Sequence, residues 1–224
     1  MKPKWSTELV KNYMEPHRNE ENAIPMAKYM KNNFPFLGIK TPERRMIFSA
    51  LIKENKLPSL ESLHDEVWAL FQLEEREYHY VAIELLSKYK KKLTIEDLPF
   101  CLKLIENHSW WDSVDSIAPK IVGDIVKANR VEGESFMVEW ANSSNMWANR
   151  ASILHQLKYK KETNEELLFA IIERHATSKE FFIQKAIGWI LREYAKTSPE
   201  VVRQFVENTQ LAALSKREAL KHFK

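Results

Sequence analysis

Apolar and aromatic residues recur along this chain at helical spacing, and the pattern itself repeats. One stretch reads Y-H-Y-V-A-I-E-L-L-S-K-Y-K-K from Tyr78, and another reads W-A-N-R-A-S-I-L-H-Q-L-K-Y-K-K from Trp147. A third, from Phe182, reads F-I-Q-K-A-I-G-W-I-L-R-E-Y-A-K. Each sets an alanine four residues after an aromatic (Ala82, Ala151, Ala186) and a tyrosine near its end (Tyr89, Tyr159, Tyr194). Trp111 opens a further copy, and Ser215-Lys216-Arg217-Glu218-Ala219 begins a last one, so that the starts lie 33 to 36 residues apart. Between them the apolar spacing predicts partner helices at roughly 59–72, 95–107, 131–142 and 164–176, the first carried by Leu60, Leu63, Val67 and Leu70.

A period of this length fits one helix pair per unit, so the chain is predicted to be all-α, a curved α-solenoid of HEAT-like helix pairs. Turns are marked by Pro58, by Asn142-Ser143-Ser144-Asn145 and by Thr197-Ser198-Pro199. A single domain over residues 1–224 is expected, with N-terminal helices over 1–57 and helical repeats over 58–224. Thr41-Pro42-Glu43-Arg44 reads as an N-cap followed by proline at the first helical position. Only four glycines occur in 224 residues, which argues against a turn-rich β protein and against Gly-rich phosphate loops. Cys101 is the one cysteine, so no intrachain disulfide framework exists and a reducing, cytoplasmic setting is expected. The N-terminal residues lack the apolar run of a signal peptide, no stretch is long enough for a membrane span, and a monomer with no membrane partner is expected. A net charge of +3 is too small to identify a nucleic-acid partner, although it leaves room for a local basic face.

Residues 108–116, H-S-W-W-D-S-V-D-S, set two large rings beside two acids. Ser109 and Asp112 have the spacing of a capping box. Trp110, Val114, Ile117, Ile121 and Ile125 form a core-facing stripe, while Trp111 and Asp115 lie one turn apart on another face. Trp110 and Asp112 thus read as structural, and Trp111 and Asp115 as displayed. Pro119 cannot donate to the Asp115 carbonyl, which predicts a kink there. In register, Asp115 stands where other copies have alanine, and one position earlier Val81 and Val114 give way to Arg150 and Lys185. An acid and two bases therefore line up along one wall, an arrangement that equally fits a structural ion pair between repeats. Gly188, inside a helical pattern next to Trp189, suggests close backbone approach. The lysines at 88, 90–92, 158, 160 and 161 fall at helix C-termini, where they favour the macrodipole; Lys216, Arg217, Lys221 and Lys224 make the last helix basic.

No H-E-x-x-H pair, P-loop or G-x-S-x-G occurs, so neither a metal nor a cofactor is expected. The remaining catalytic candidate is a carboxylate among aromatics. Such a group suits an oxocarbenium-like transition state, which it stabilises while positioning water at the sugar carbon. A tryptophan face adds cation–π attraction. One acid suffices if the leaving group is already cationic, as an N3- or N7-alkylated purine is. Arg150 and Lys185 would then face backbone phosphates.

The sequence closely resembles the AlkD-type DNA alkylation-repair glycosylases, helical proteins of HEAT-like repeats, over nearly its whole length. The resemblance is carried by Phe36-Leu37-Gly38-Ile39-Lys40-Thr41-Pro42-Glu43-Arg44-Arg45, by residues 109–116, by Arg150-Ala151, by residues 181–189 and by residues 214–219. It implies hydrolysis of the N-glycosidic bond of N3- and N7-alkylpurines in double-stranded DNA, with the lesion left stacked rather than flipped. It places the catalytic aspartate on Asp115, sugar-contacting tryptophans on Trp111 and Trp189, and the functional arginine on Arg150. Tyr29 matches an aromatic near the lesion, and Lys40 stands where a related protein has glutamine. Lys185, Arg192, Lys216 and Arg217 complete the residues expected on DNA. The alternative reading is a noncatalytic solenoid that binds DNA or protein.

Overall fold

The computed structural model describes residues 2–223, and Lys224, read above as part of the basic last helix, lies outside them. The described residues form helices and turns without a strand, so the fold is all-α. Two compact units divide the chain, Met1–Tyr89 and Lys90–Lys224. The repeat copy from Tyr78 falls in the first and the other four in the second.

The N-terminal unit contains α1 (Thr7–Met14), α2 (Glu20–Tyr29), α3 (Thr41–Glu54), α4 (Leu63–Phe71) and α5 (Arg76–Lys88). Ser6 and Asn19 cap α1 and α2 by accepting the Leu9 and Asn22 amides. Helix α3 starts one residue before the position its Thr-Pro pair suggests: Lys40, in extended backbone, is the N-cap, and Thr41 already belongs to the helix. The segment before α3 is held by one buried acid. Glu77 of α5 accepts the amides of Leu37 at 2.9 Å, Gly38 at 2.9 Å and Ile39 at 3.0 Å. Gly38 has φ +88, and a Cβ there would come within 1.9 Å of the Asn19 carbonyl oxygen, so only glycine fits. Beside Glu77, the buried Arg76 lies 3.8 Å over the Phe34 ring. Replacing Glu77 by Ala strands three buried amides at about 1–3 kcal/mol each. A loss of roughly 3 kcal/mol or more is expected, read as a fall in the urea midpoint of unfolding.

The C-terminal unit contains α6 (Leu98–Glu106), α7 (Trp111–Ile117), α8 (Gly123–Ala128), α9 (Arg130–Ala141), α10 (Met146–Leu154), α11 (Glu165–Arg174), α12 (Phe181–Tyr194), α13 (Pro199–Asn208) and α14 (Ala213–Ala219). The repeat copies are α7, α10, α12 and α14; α10 packs against both α7 and α12, and α12 packs against α14. Asn145 and Asn164 cap α10 and α11 through their side chains. Val114, Ile117, Ile121 and Ile125 are buried, as their stripe requires. The repeat tyrosines earn their recurrence through their hydroxyls, which donate to the carbonyls of Pro58 (Tyr89) and Gly123 (Tyr159) and to the Glu165 carboxylate (Tyr194). Cys101 is fully buried, and burial pushes its thiol well above the ordinary range. Among the described residues no helix is long and apolar enough to cross a membrane.

The start of α7 departs from the capping-box expectation. Ser109 donates its hydroxyl to the Ile105 carbonyl at 2.7 Å, closing off α6 instead, and Trp110 takes the N-cap position without a side-chain cap. Asp112 remains in the first turn, where an acid favours the helix dipole. At the other end of α7 the kink expected at Pro119 takes the form of a π-turn over Ala118–Val122, in which the Gly123 amide donates to the Ala118 carbonyl five residues back. The ring at Pro119 removes an α-type donor, and the wider turn accommodates the loss.

Candidate functional site

Every side chain of the site comes from the four repeat helices of the C-terminal unit. Trp111 and Asp115 sit on one face of α7, Arg150 projects from α10, and Lys185, Trp189 and Arg192 follow one face of α12 at i, i+4 and i+7. Together with Phe181, Phe182 and Glu218 they line a cleft of about 280 Å³. The wall along which the acid and the bases line up is therefore indented.

Asp115 and Arg150 form a two-pronged pair. The arginine Nε donates to Oδ1 and Nη2 to Oδ2, both at 2.9 Å, while Nη1 donates to the Phe182 carbonyl. Its guanidinium is thereby committed on all three nitrogens, and the side chain is only 5% exposed, against 16% for Asp115. Sequence register left open a phosphate-facing arginine or an ion pair between repeats; in the structure Arg150 turns inward and forms the pair with Asp115. Burial pushes the Asp115 carboxyl above its ordinary value, the hydrogen bonds and charge of Arg150 pull it down, and Asp112 adds a smaller push upward. A group with these surroundings is a carboxylate kept in place by its partner and open to the cleft on one side.

Around this pair the rings are tightly grouped. Trp110, Trp147 and Phe182 lie with centroids 5.0 to 5.8 Å apart, and the Arg150 guanidinium lies 6.0 Å over the Phe182 ring. Trp110 thus joins an aromatic cluster, and Trp111 turns to the cleft.

Glu218 is the residue that sequence reading missed. It is buried on α14 and receives Arg192 at 2.7 Å, Lys221 at 2.8 Å and Lys185 at 3.2 Å. Gly188 makes room for it: a Cβ at that position would lie 2.3 Å from the Glu218 Cβ and 3.1 Å from the Ser215 carbonyl oxygen. The hydrogen bond from Lys221, opposed by burial and joined by those from Arg192 and Lys185, draws the Glu218 carboxyl down to about 2. Since folding lowers this pKa, the bridges stabilise the fold fully above about pH 4.5, and that stability is lost as pH falls toward about 2. Thermal melts of the parent and of Glu218→Gln should therefore differ near neutral pH and converge at the acidic end.

Of the other expected DNA contacts, Lys216 and Arg217 are exposed on α14 outside the lining of the cleft, and Tyr29 and Lys40 are exposed on the N-terminal unit. Among the described residues no three His, Cys, Asp or Glu side chains come together in a way that could hold a metal ion.

The profile of the DNA alkylation repair enzyme family matches residues 10–223 of this chain. A solved structure described as a predicted DNA alkylation repair enzyme from Enterococcus faecalis is 37% identical, with a TM-score of 0.86, over 92% of this chain and 96% of that one. AlkD2 from Streptococcus mutans shares the fold at 19% identity and a TM-score of 0.61, covering 78% of this chain and 87% of its own. The protein smu.31 from Streptococcus mutans UA159 does so at 17% identity and a TM-score of 0.62, covering 95% and 98%. No curated protein matches the sequence.

Proposed function

Because the chain belongs to the DNA alkylation repair enzyme family, we propose that it is a DNA glycosylase that hydrolyses the N-glycosidic bond of N3- and N7-alkylated purines in duplex DNA. The observation that carries this reading is the half-open Asp115 carboxylate, clamped by Arg150 and lining one cleft with Trp111 and Trp189. When the bond from C1′ to the purine nitrogen breaks, its electron pair leaves with the base. An alkylpurine that carried a positive charge departs neutral, so no proton donor is required. The charge moves to the sugar, where the Asp115 carboxylate stabilises it and orients the attacking water, whose proton it then accepts. Indole faces at Trp111 and Trp189 add cation–π attraction of about 0.5–2 kcal/mol.

Arg150 acts through Asp115, as a positioning residue. Lys185, Arg192, Lys216 and Arg217 are the proposed phosphate contacts on this unit, and Tyr29 and Lys40 are proposed contacts on the exposed surface of the N-terminal unit. The enzyme is proposed to work as a cytoplasmic monomer, with the lesion still stacked in the duplex. Incubation with duplex DNA carrying one 7-methylguanine or 3-methyladenine should yield abasic sites faster than spontaneous depurination. Binding to that duplex without base release would favour a noncatalytic scaffold.

A further inference from the structure

The cleft holds a second carboxylate for which the chemistry above has no use. Glu218 is ionised, so it offers no proton, and its side chain is only 7% exposed. Its partners are what distinguish it. Lys185 and Arg192 bracket Trp189 along one face of α12, and Glu218 enters between them over Gly188, where the absent Cβ leaves a gap. With Lys221 included, three cations surround one carboxylate, which leaves a local surplus of two positive charges. The two brackets are not held equally. Arg192 sits 2.7 Å from Glu218 with its side chain 26% exposed, whereas Lys185 lies at 3.2 Å and is 38% exposed.

We propose that Glu218 is a positioning residue that stands in for a phosphate in the unliganded cleft. It anchors Arg192 and holds Lys185 ready, and Lys185 transfers from Glu218 to a backbone phosphate when duplex DNA binds. The surplus charge keeps the site attractive to an anion even with Glu218 in place. Arg192 keeps Nη1 on the carboxylate, which holds that side of Trp189 fixed and leaves the rest of its guanidinium for a phosphate. The partial neutralisation of Lys185 before binding also lowers its attraction for DNA of any sequence, so tight binding and a fixed cleft are opposed through one residue. This inference rests on the glycosylase reading for its excision arm, and only on DNA binding for its other arm.

The test uses Glu218→Gln, which retains the size and an acceptor oxygen over Gly188 but releases the cations. Affinity for undamaged duplex should rise by about two- to fivefold, the worth of one ion pair whose lysine is partly exposed. The slope of log K against log salt should stay unchanged, since Lys185 reaches the phosphate in both proteins. Single-turnover release of 7-methylguanine from the bound complex should become slower in the same variant. Lys185→Ala should cost more affinity in the Glu218→Gln background than in the parent, since only there is the lysine unshared before binding. Tighter binding with slower chemistry is not what loss of structure produces, because a loosened fold weakens both. Weaker or unchanged binding in Glu218→Gln, or equal costs of Lys185→Ala in the two backgrounds, overturns the proposal. If the parent binds duplex but releases no base, the glycosylase reading fails while the binding arm still judges Glu218. If a loss of folded protein obscures Glu218→Gln, Glu218→Asp, which keeps the charge but draws the carboxylate back toward α14 and away from Lys185, should move affinity and excision in the same directions.

Discussion

An Asp115→Asn variant is expected to release alkylated purines about 10²–10³-fold more slowly than the parent in single-turnover assays, the usual loss when one preorganised electrostatic group is removed. The amide retains the shape and can still accept one bond from Arg150, but the charge that faces the sugar is gone. Affinity for undamaged duplex should not fall, because the variant removes a negative charge from a surface that binds an anion. The fold should weaken by about 1–3 kcal/mol, since a charge-assisted pair becomes a neutral contact beside a buried guanidinium. The same geometry sets a pH dependence for the parent. Burial holds the Asp115 carboxyl above its ordinary value, so excision should decline on acidification at a pH above that of a solvent-exposed aspartate. An excision rate that survives Asp115→Asn within a few-fold would remove this residue from the chemistry.

Arg150→Ala should lower the excision rate by a comparable factor through a different route. Both hydrogen bonds to Asp115 disappear. A carboxyl already pushed up by burial then loses its principal counterweight, and the acidic limb of the rate profile should move to higher pH. Breaking a buried pair from one side costs about 3–5 kcal/mol, an upper figure here because Asp115 is partly open and can take up a proton. Arg150→Lys should rescue little, since an ammonium cannot reproduce the parallel two-bond contact or the third bond to the Phe182 carbonyl. The salt slope of DNA binding should change by much less than one. A slope reduced by one, with excision from the bound complex preserved, would instead make Arg150 a phosphate contact.

The helix order was legible because each unit must bury an apolar stripe, and that demand writes the same aromatic, alanine and tyrosine into successive copies. The copies starting at Trp111, Trp147, Phe182 and Ser215 correspond to α7, α10, α12 and α14. What side chains do across units was less legible. Register placed Arg150 and Lys185 at equivalent positions, yet Arg150 turns to Asp115 on α7 and Lys185 to Glu218 on α14. Periodicity assigns a face, whereas the choice of neighbour depends on packing between helices. Glu218 had a signal nonetheless: it precedes Ala219 as Arg150 precedes Ala151 and Lys185 precedes Ala186. Across the five copies that position reads Val81, Val114, Arg150, Lys185 and Glu218, so an acid follows two bases in the copy next to Lys185. The capping box misled for a local reason, since the Ser109 hydroxyl donates to the Ile105 carbonyl of the preceding helix.

The π-turn at Ala118–Val122 has a consequence for insertions and deletions. Each residue of an α-helix advances the chain by about 100° around its axis. A π-turn holds one residue more than an α-turn over nearly the same rotation, so it absorbs the extra residue. Removing one residue from the wide turn would therefore leave a regular helix with Trp111 and Asp115 close to their present angle relative to Ile121 and Ile125. A further inserted residue meets a turn that has already widened, and it would rotate Asp115 by about 100° relative to Ile121. Either the carboxylate would then leave the cleft or the isoleucines would leave the core. Substitutions in this segment are filtered by volume and polarity, whereas changes of length are filtered by phase, and the wide turn makes that filter one-sided.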